Sequence, residues 1–294
     1  MSARNPLAWI LAARPRTLPA AMAPVIVGAA CAASAGRCHL GAAFAALIAA
    51  VLLQIGANFA NDAFDFERGA DGAGRVGPVR AAQAGILTPA NLKRGMVAVF
   101  LAATLLGGYL ATVAGPIIVI LGVLAIAAAF AYTGGPMPLA YRGLGEVLVV
   151  VFFGFVAVCG TALACCGHVP ASAWWASVPV GSLAAAILVA NNIRDVASDA
   201  RAGKRTVAVI FGENAARLEY ALLLLVSFAS VPVAYAMGGL GGWTLLTLGT
   251  VPLARRPLDL ALSFRGAVLN ECLAKTAVLL LVFSVVLACG IALG

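Results

Sequence analysis

The sequence predicts an all-α, polytopic membrane protein with about nine transmembrane helices around a central cavity that opens to the cytoplasmic side. The first observation is composition, since 63% of the 294 residues are hydrophobic and only 10% are charged, with a mean hydropathy of +1.04. The second is that apolar runs of about 20 residues recur along the chain. Backbone polar groups in lipid must be satisfied within their own segment, so these runs are expected to be helices. The third is the distribution of charge.

Nine apolar segments are the candidate spans, of which the fourth and eighth are the shortest. No soluble region or linker interrupts them, so we expect one transmembrane domain over residues 1–294. In chain order the segments are Thr17–Ala35, Leu40–Phe64, Met96–Ala114, Ile117–Tyr132, Gly145–Cys165, Ala171–Ile193, Leu218–Met237, Leu240–Leu253 and Cys272–Leu293.

Charge predicts the orientation of these spans. If nine helices alternate from a cytoplasmic N-terminus, Arg37 is the only one of the 19 Lys and Arg residues in an outer connection, and none of the 11 acids falls there. The positive-inside rule therefore predicts a protein of the cell (inner) membrane with its N-terminus and its chemistry on the cytoplasmic side. This bias, together with anionic lipid, also accounts for the net charge of +8 without a nucleic-acid partner.

Two polar stripes lie at the cytoplasmic ends of two spans. The first follows helical spacing at the end of the second span, and the second does so at the end of the sixth. Four spans separate them, so both reach the same membrane face and are expected to form two sides of one cavity. Their members are Gln54, Asn58, Asn61, Asp62 and Asp65 in the first, and Asn191, Asp195 and Asp199 in the second.

Clustered acids near a bilayer indicate a bound cation. Like charges four residues apart on a helix repel, and an ionised acid costs up to about 2.5–3.5 kcal/mol at the centre of a span. Carboxylate and amide oxygens, without Cys or His, suit Mg²⁺. Basic residues that follow the stripes match phosphate groups, namely Arg68, Arg75, Arg80, Lys204 and Arg205. An apolar cavity capped by Mg²⁺ and a diphosphate predicts a substrate with a lipid tail.

With these motifs the sequence resembles the UbiA-type intramembrane prenyltransferases. The residues that carry the resemblance are Asn61-Asp62-x-x-Asp65 and Asp195-x-x-x-Asp199, and it covers most of the chain from Arg14 to about Gly212. A finer likeness is to the 1,4-dihydroxy-2-naphthoate polyprenyltransferase branch, seen in four stretches: Arg14–Gly28, Asn61–Gly85, Tyr132–Gly154 and Asn191–Gly212. Where the wider family often has a third acid, this chain has Gly69, and the acid comes at Asp71. That spacing resembles the dihydroxynaphthoate branch more than the 4-hydroxybenzoate branch.

The resemblance implies a Mg²⁺-dependent enzyme of menaquinone biosynthesis. It would transfer a polyprenyl group from its diphosphate to 1,4-dihydroxy-2-naphthoate with loss of CO₂, giving demethylmenaquinone. The implied metal ligands are Asn61, Asp65, Asp195 and Asp199. Asp62 and Asp71 adjoin them, and either is a candidate proton acceptor. The implied diphosphate contacts are Arg68, Arg80, Lys204 and Arg205, and the implied acceptor or prenyl site comprises Asn58, Tyr132, Tyr141 and Arg142.

Further roles and alternatives stay open at this stage. Phe152, Phe153 and Phe155 are candidates for the tail site, and Arg16 is a second candidate for the acceptor carboxylate. The acceptor could instead be 4-hydroxybenzoate, homogentisate or a tetrapyrrole. Other classes are a secondary cation transporter, disfavoured because the acids lie at helix ends on one side, and a non-catalytic assembly factor. Tail length and oligomeric state are not predicted.

Overall fold

The computed structural model describes residues 6–70, 76–136 and 138–294. In these ranges the chain forms helices joined by turns and loops and contains no β-strand. We number the α-helices in chain order: α1 Pro6–Ala13, α2 Leu18–Ser34, α3 Leu40–Glu67, α4 Pro89–Ala114, α5 Ile117–Thr133, α6 Gly145–Cys166, α7 Ala171–Arg201, α8 Val207–Ile210, α9 Glu213–Ala236, α10 Val251–Ser263 and α11 Leu269–Leu293. Within α6, Val150–Val156 is a π-helical turn. Asp71 and Arg75 lie outside the described residues.

Seven helices of the described chain are long and apolar enough to cross a membrane: Pro6–Ser34, Leu40–Glu67, Pro89–Ala114, Gly145–Cys166, Ala171–Arg201, Glu213–Ala236 and Gly266–Leu293. Helix α5 is apolar but shorter. These helices confirm an all-α membrane architecture.

The predicted span Leu240–Leu253 has a different form in the structure. It is a 3₁₀-helix, Gly242–Thr250, that continues directly into α10. Helix α10 carries Arg255, Arg256 and Asp259 and is therefore more polar than the predicted segment. The count of nine spans, like the single domain over 1–294, stays a prediction.

The helices extend beyond the predicted apolar runs, and this extension positions the acids. Helix α3 runs past Phe64 to Glu67, and α7 runs past Ile193 to Arg201. The acidic motifs therefore lie on regular helix, where side chains three or four residues apart share a face. Helix α4 begins early because the Thr88 hydroxyl caps it, accepting from the Asn91 amide at 3.2 Å.

The helices pack in two groups with α7 at the centre of one. Helix α7 packs against α9, α11 and the π-helical turn, and α3 packs against α4 and α5. The approach of α6 to α7 is close at Gly154, where an added Cβ would lie 2.7 Å from the Ser177 carbonyl oxygen and 3.0 Å from Gly181 Cα. A cavity between the two groups carries the candidate site.

Candidate active site

A cavity of about 570 Å³ runs between α2, α3, α4, α5, α6 and α7. Along α3 it extends from Ala46 to Asp65, roughly 28 Å at a rise of about 1.5 Å per residue. Its walls are mostly Ala, Gly and aliphatic side chains, with Phe152 and Phe153 on α6. Phe155, also predicted for the tail site, instead packs against Trp174 at 6.1 Å between ring centroids.

Polar side chains gather around the cavity from both predicted stripes. The stripe on α3 contributes Gln54, Asn58, Asn61 and Asp65, and that on α7 contributes Asn191 and Asp199. Arg80, Lys204 and Tyr132 also line it. The structure therefore brings the two acidic motifs together, although they are more than 100 residues apart in the sequence.

Asp65 accepts hydrogen bonds from three different parts of the chain. It is 2% exposed, and its Oδ2 accepts from Arg80 Nη1 at 3.0 Å and from Lys204 Nζ at 3.3 Å. Its Oδ1 accepts from the Tyr141 hydroxyl at 3.2 Å. A buried carboxylate needs such cations and donors to offset its lost hydration.

Lys204 links the two motifs. Its ammonium lies 3.3 Å from Asp65 Oδ2 and 3.8 Å from Asp199 Oδ1. It also sits 5.1 Å from the centroid of the Tyr141 ring, in cation–π geometry. One cation from the chain is thus shared by an acid of each motif.

Asp62 faces the following loop. Its Oδ2 accepts from the Ala81 amide at 2.9 Å and its Oδ1 from the Ala82 amide at 3.2 Å. In the same loop, Arg80 Nη1 donates to the Asn61 carbonyl oxygen at 2.9 Å. Asp62 therefore folds the loop against the end of α3 and places Arg80 beside Asp65. Its role as a proton acceptor stays a prediction.

Asp195 is bound by its neighbour Arg194. The guanidinium donates from Nε to Oδ1 at 2.8 Å and from Nη2 to Oδ2 at 2.5 Å. Arg194 also reaches Asn191 Oδ1 at 2.6 Å and Asn270 Oδ1 at 2.8 Å. Of the four predicted metal ligands, Asn61, Asp65 and Asp199 line the cavity while Asp195 packs beside it; metal binding by Asp195 stays a prediction.

Arg68 and Asn58 have anchoring contacts. Arg68 donates to the carbonyl oxygens of Thr133 and Gly135 and lies 5.4 Å from the Tyr141 ring centroid, tying α3 to the segment after α5. Asn58 Nδ2 donates to the Ala13 carbonyl oxygen at 2.9 Å and joins α3 to the end of α1.

Tyr141 and Arg142 lie at a second, outer cavity and are not among the residues that line the main one. The outer cavity, about 510 Å³, is lined by Tyr141, Arg142, Arg205 and Ile210. Burial, and then the neighbouring Asp65 carboxylate, raise the pKa of the Tyr141 phenol above its ordinary value. The phenol therefore stays protonated and donates to Asp65. Of the predicted phosphate contacts, Arg80 and Lys204 line the main cavity and Arg205 lines the outer one.

Two cavity residues were missed by the sequence reasoning. Glu146 and Asn192 are both buried and line the cavity, and Asn192 Nδ2 donates to Glu146 Oε1 at 2.6 Å. A signal was available, because Glu146 is the only acid between Asp71 and Asp195 and it begins an apolar run.

The donor set fits a hard divalent cation completed by a substrate. In the described residues no group of three or more His, Cys, Asp or Glu side chains is arranged to hold a metal. Mg²⁺ typically takes one or two carboxylates together with phosphate oxygens and water. Asn61, Asp65 and Asp199 supply oxygen donors of that kind around one cavity.

Comparison with known proteins places this arrangement in a family. Residues 21–257 match the model of the UbiA prenyltransferase family. The chain is 38% identical over 287 residues to the 1,4-dihydroxy-2-naphthoate octaprenyltransferase of Mycobacterium tuberculosis, covering 97% of each chain.

Solved structures show the same fold. A UbiA homolog from Aeropyrum pernix K1 superposes with a TM-score of 0.70 at 18% identity, covering 94% of this chain and 97% of that one. A UbiA homolog from Archaeoglobus fulgidus bound to DMAPP and Mg²⁺ superposes with a TM-score of 0.62 at 14% identity, covering 95% and 98%. Together with the apolar helices and the paired acidic motifs, these matches show that the chain is an integral membrane protein that belongs to the UbiA prenyltransferase family.

Proposed function

We propose that the protein transfers a polyprenyl group from its diphosphate to 1,4-dihydroxy-2-naphthoate with loss of CO₂, giving a prenylated naphthalenediol, the reduced form of demethylmenaquinone, for menaquinone biosynthesis. The observation that carries this proposal is a long apolar cavity lined by acids and cations from both Asp motifs. The near full-length similarity to the mycobacterial octaprenyltransferase supports the naphthoate as acceptor. The alternative acceptors, 4-hydroxybenzoate and homogentisate, are not favoured by that similarity.

In this proposal the polar residues hold the diphosphate. Arg80 and Lys204 contact its phosphate oxygens, with Arg68 and Arg205 on the outer side. Asn61, Asp65, Asp195 and Asp199 hold Mg²⁺, which when bound stabilises the charge of the departing diphosphate. The Archaeoglobus fulgidus neighbour, bound to DMAPP and Mg²⁺, supports this cofactor.

The apolar cavity holds the tail and excludes water. Ala and Gly side chains leave room along α3, α4 and α5, and Phe152 and Phe153 form part of the wall. Removing water protects the allylic carbon, which becomes cation-like as the diphosphate leaves. The Tyr132 ring, also in the wall, offers an aromatic face to that carbon. Arg142 and Arg16 remain the candidates for the acceptor carboxylate.

The proposed cellular location follows the charge distribution. We place the protein in the cytoplasmic membrane with the polar residues of the cavity and the N-terminus on the cytoplasmic side. In this orientation the prenyl tail enters from the lipid and the aromatic acid enters from the cytoplasm.

The test is a transfer assay with purified protein in detergent. Polyprenyl diphosphate is combined with 1,4-dihydroxy-2-naphthoate, 4-hydroxybenzoate or homogentisate, each with and without Mg²⁺, and products are identified by mass. We expect Mg²⁺-dependent release of CO₂ and a prenylated naphthalenediol. Product from 4-hydroxybenzoate but not from the naphthoate would contradict the acceptor, and no prenylated product from any acid would contradict the proposed activity.

A further inference from the structure

Glu146 is a cavity acid whose surroundings differ from those of the other acids. It lies at the start of α6, is 8% exposed, and accepts from Asn192 Nδ2 at 2.6 Å. In the described part of the chain it forms no salt bridge, whereas Asp65 has Arg80 and Lys204 and Asp195 has Arg194. A carboxylate already balanced by cations gains little from a proton, while a buried one without a cation gains much more.

Glu146 lies in the cavity that also holds acids of both Asp motifs. Tyr132 shares the cavity wall with Glu146, Asp65 and Asp199. Its hydroxyl lies 3.2 Å from where a Cβ on Gly145 would stand, so the phenol packs against the backbone next to Glu146. Glu146 therefore belongs to the same chamber as Asp65 and Asp199, but its oxygens are not held by Lys204 or Arg80.

We propose that Glu146 is the proton acceptor for a phenolic hydroxyl of the aromatic substrate, an inference that rests on the proposed function. Transfer of the O–H proton to the Glu146 carboxylate raises the electron density of the ring. The ring carbon that bears the carboxylate then bonds to the allylic carbon while the allylic C–O bond breaks and diphosphate leaves. Loss of CO₂ returns its bonding pair to the ring, and Glu146 returns the proton to the oxygen. Protons and charges balance without a further reactant.

A purely structural role for the Glu146–Asn192 hydrogen bond can be distinguished from proton transfer by experiment. In that case Glu146 would only tie α6 to α7. In Glu146→Gln the carboxamide oxygen still accepts from Asn192, so the tie between the helices is kept, but the side chain no longer takes up a proton. Glu219→Gln is the matched control, because Glu219 is a partly buried acid near Glu146 that does not line the cavity.

The first experiment measures the bound acceptor without a prenyl donor. Under anaerobic conditions, 1,4-dihydroxy-2-naphthoate is titrated with the parent protein and its absorption spectrum is recorded. An ionised naphthol absorbs at longer wavelength than a neutral one. We expect a shift to longer wavelength with the parent and with Glu219→Gln, and its loss with Glu146→Gln. An unshifted spectrum with the parent overturns the proposal even if Glu146→Gln does not fold.

The second experiment measures transfer kinetics. Loss of a proton acceptor lowers rates by about 10²–10⁴-fold, so we expect kcat of Glu146→Gln to fall at least about 100-fold. KM for the prenyl diphosphate is expected to change less than about threefold, since Glu146 has no part in binding it. A kcat within about threefold of the parent overturns the assignment.

Failure of the proposed function gives a separate result. If the parent prenylates 4-hydroxybenzoate and not the naphthoate, the proposed acceptor is wrong. The comparison of Glu146→Gln with the parent is then made on 4-hydroxybenzoate, where the same loss of kcat supports Glu146 and an unchanged kcat overturns it.

Discussion

Individual residues of the candidate active site also stabilise the fold. Asp65 receives hydrogen bonds from the loop after α3, from the segment after α5 and from the turn after α7. Three parts of the chain that are distant in sequence therefore meet at one carboxylate. Replacing it affects both how these parts are held and what they can bind.

Asp65→Asn and Asp199→Asn are expected to differ in stability but not in activity. Both should lower turnover by at least about 100-fold, since each removes charge from the proposed diphosphate site. Asp65→Asn should also lower the melting temperature more, because a buried carboxylate that holds Arg80, Lys204 and Tyr141 loses its charge. Assays in detergent and thermal melts measure the two effects.

The control for this pair is Glu67→Gln. Glu67 lies two residues after Asp65 on α3 but is exposed and pairs with Lys93 at 2.7 Å. Exposed pairs contribute little, so its activity and melting temperature should match those of the parent. Near-normal turnover in Asp65→Asn or Asp199→Asn would show that the acids do not form the site.

Tyr141 is expected to act through both its hydroxyl and its ring. Tyr141→Phe removes the hydrogen bond to Asp65 but keeps the ring face toward Arg68 and Lys204. A hydrogen bond to a charged group is worth about 1.5–3 kcal/mol, so kcat/KM should fall roughly 10- to 150-fold. The kcat/KM of Tyr141→Leu should fall further, because the cation–π contacts are also lost. Equal losses of kcat/KM in the two variants would contradict a role for the ring. The control is Tyr235→Phe, on the exposed face of α9.

The sequence predicted which residues form the site more reliably than which groups those residues contact. The Asp65 and Asp199 motifs were predicted because helical spacing alone puts them on one face. The pairing of Asp62 with the Ala81 and Ala82 amides was not, because a loop conformation decides it. Glu146 was missed because a single acid has no repeated spacing, and its place at the start of an apolar run was the one signal available.

At the scale of elements, the junction of α6 with α7 shapes the cavity. The π-helical turn Val150–Val156 carries the two Phe side chains that line the wall, and its Gly154 packs on the backbone of α7. π-turns of this kind are common at functional sites. Neither the turn nor the close approach follows from hydropathy, which predicted only an apolar helix here.

Gly154→Ala tests this junction. The added Cβ would lie 2.7 Å from a backbone oxygen of α7, so the helices must separate at a cost of about 1–3 kcal/mol. We expect a lower melting temperature and slower transfer, since the wall moves with the turn. Gly249→Ala is the control, because its Cβ would meet nothing within 4 Å and Gly249 does not line the cavity. An unchanged melting temperature for Gly154→Ala would contradict the close packing.

At the scale of the whole molecule, the orientation in the membrane can be measured directly. In a background without the seven cysteines, Arg37→Cys and Val79→Cys each add one exposed thiol. A membrane-impermeant maleimide should label Arg37→Cys in intact cells and Val79→Cys only in inside-out vesicles. The cysteine-free background is the control, and the reverse labelling pattern would contradict a cytoplasmic site.

The shared position of Lys204 between Asp65 and Asp199 has a consequence for handling the protein. The chain supplies its own counterion for these acids, so the folded state does not depend on a cation from solution. Proteins whose folding is coupled to a metal unfold when it is chelated. Here EDTA is expected to stop turnover yet shift the melting temperature by less than about 2 °C. A large decrease in melting temperature in EDTA would contradict the role of Lys204 as the counterion of these acids. The protein should therefore survive purification and storage in chelator and regain activity when Mg²⁺ is added back.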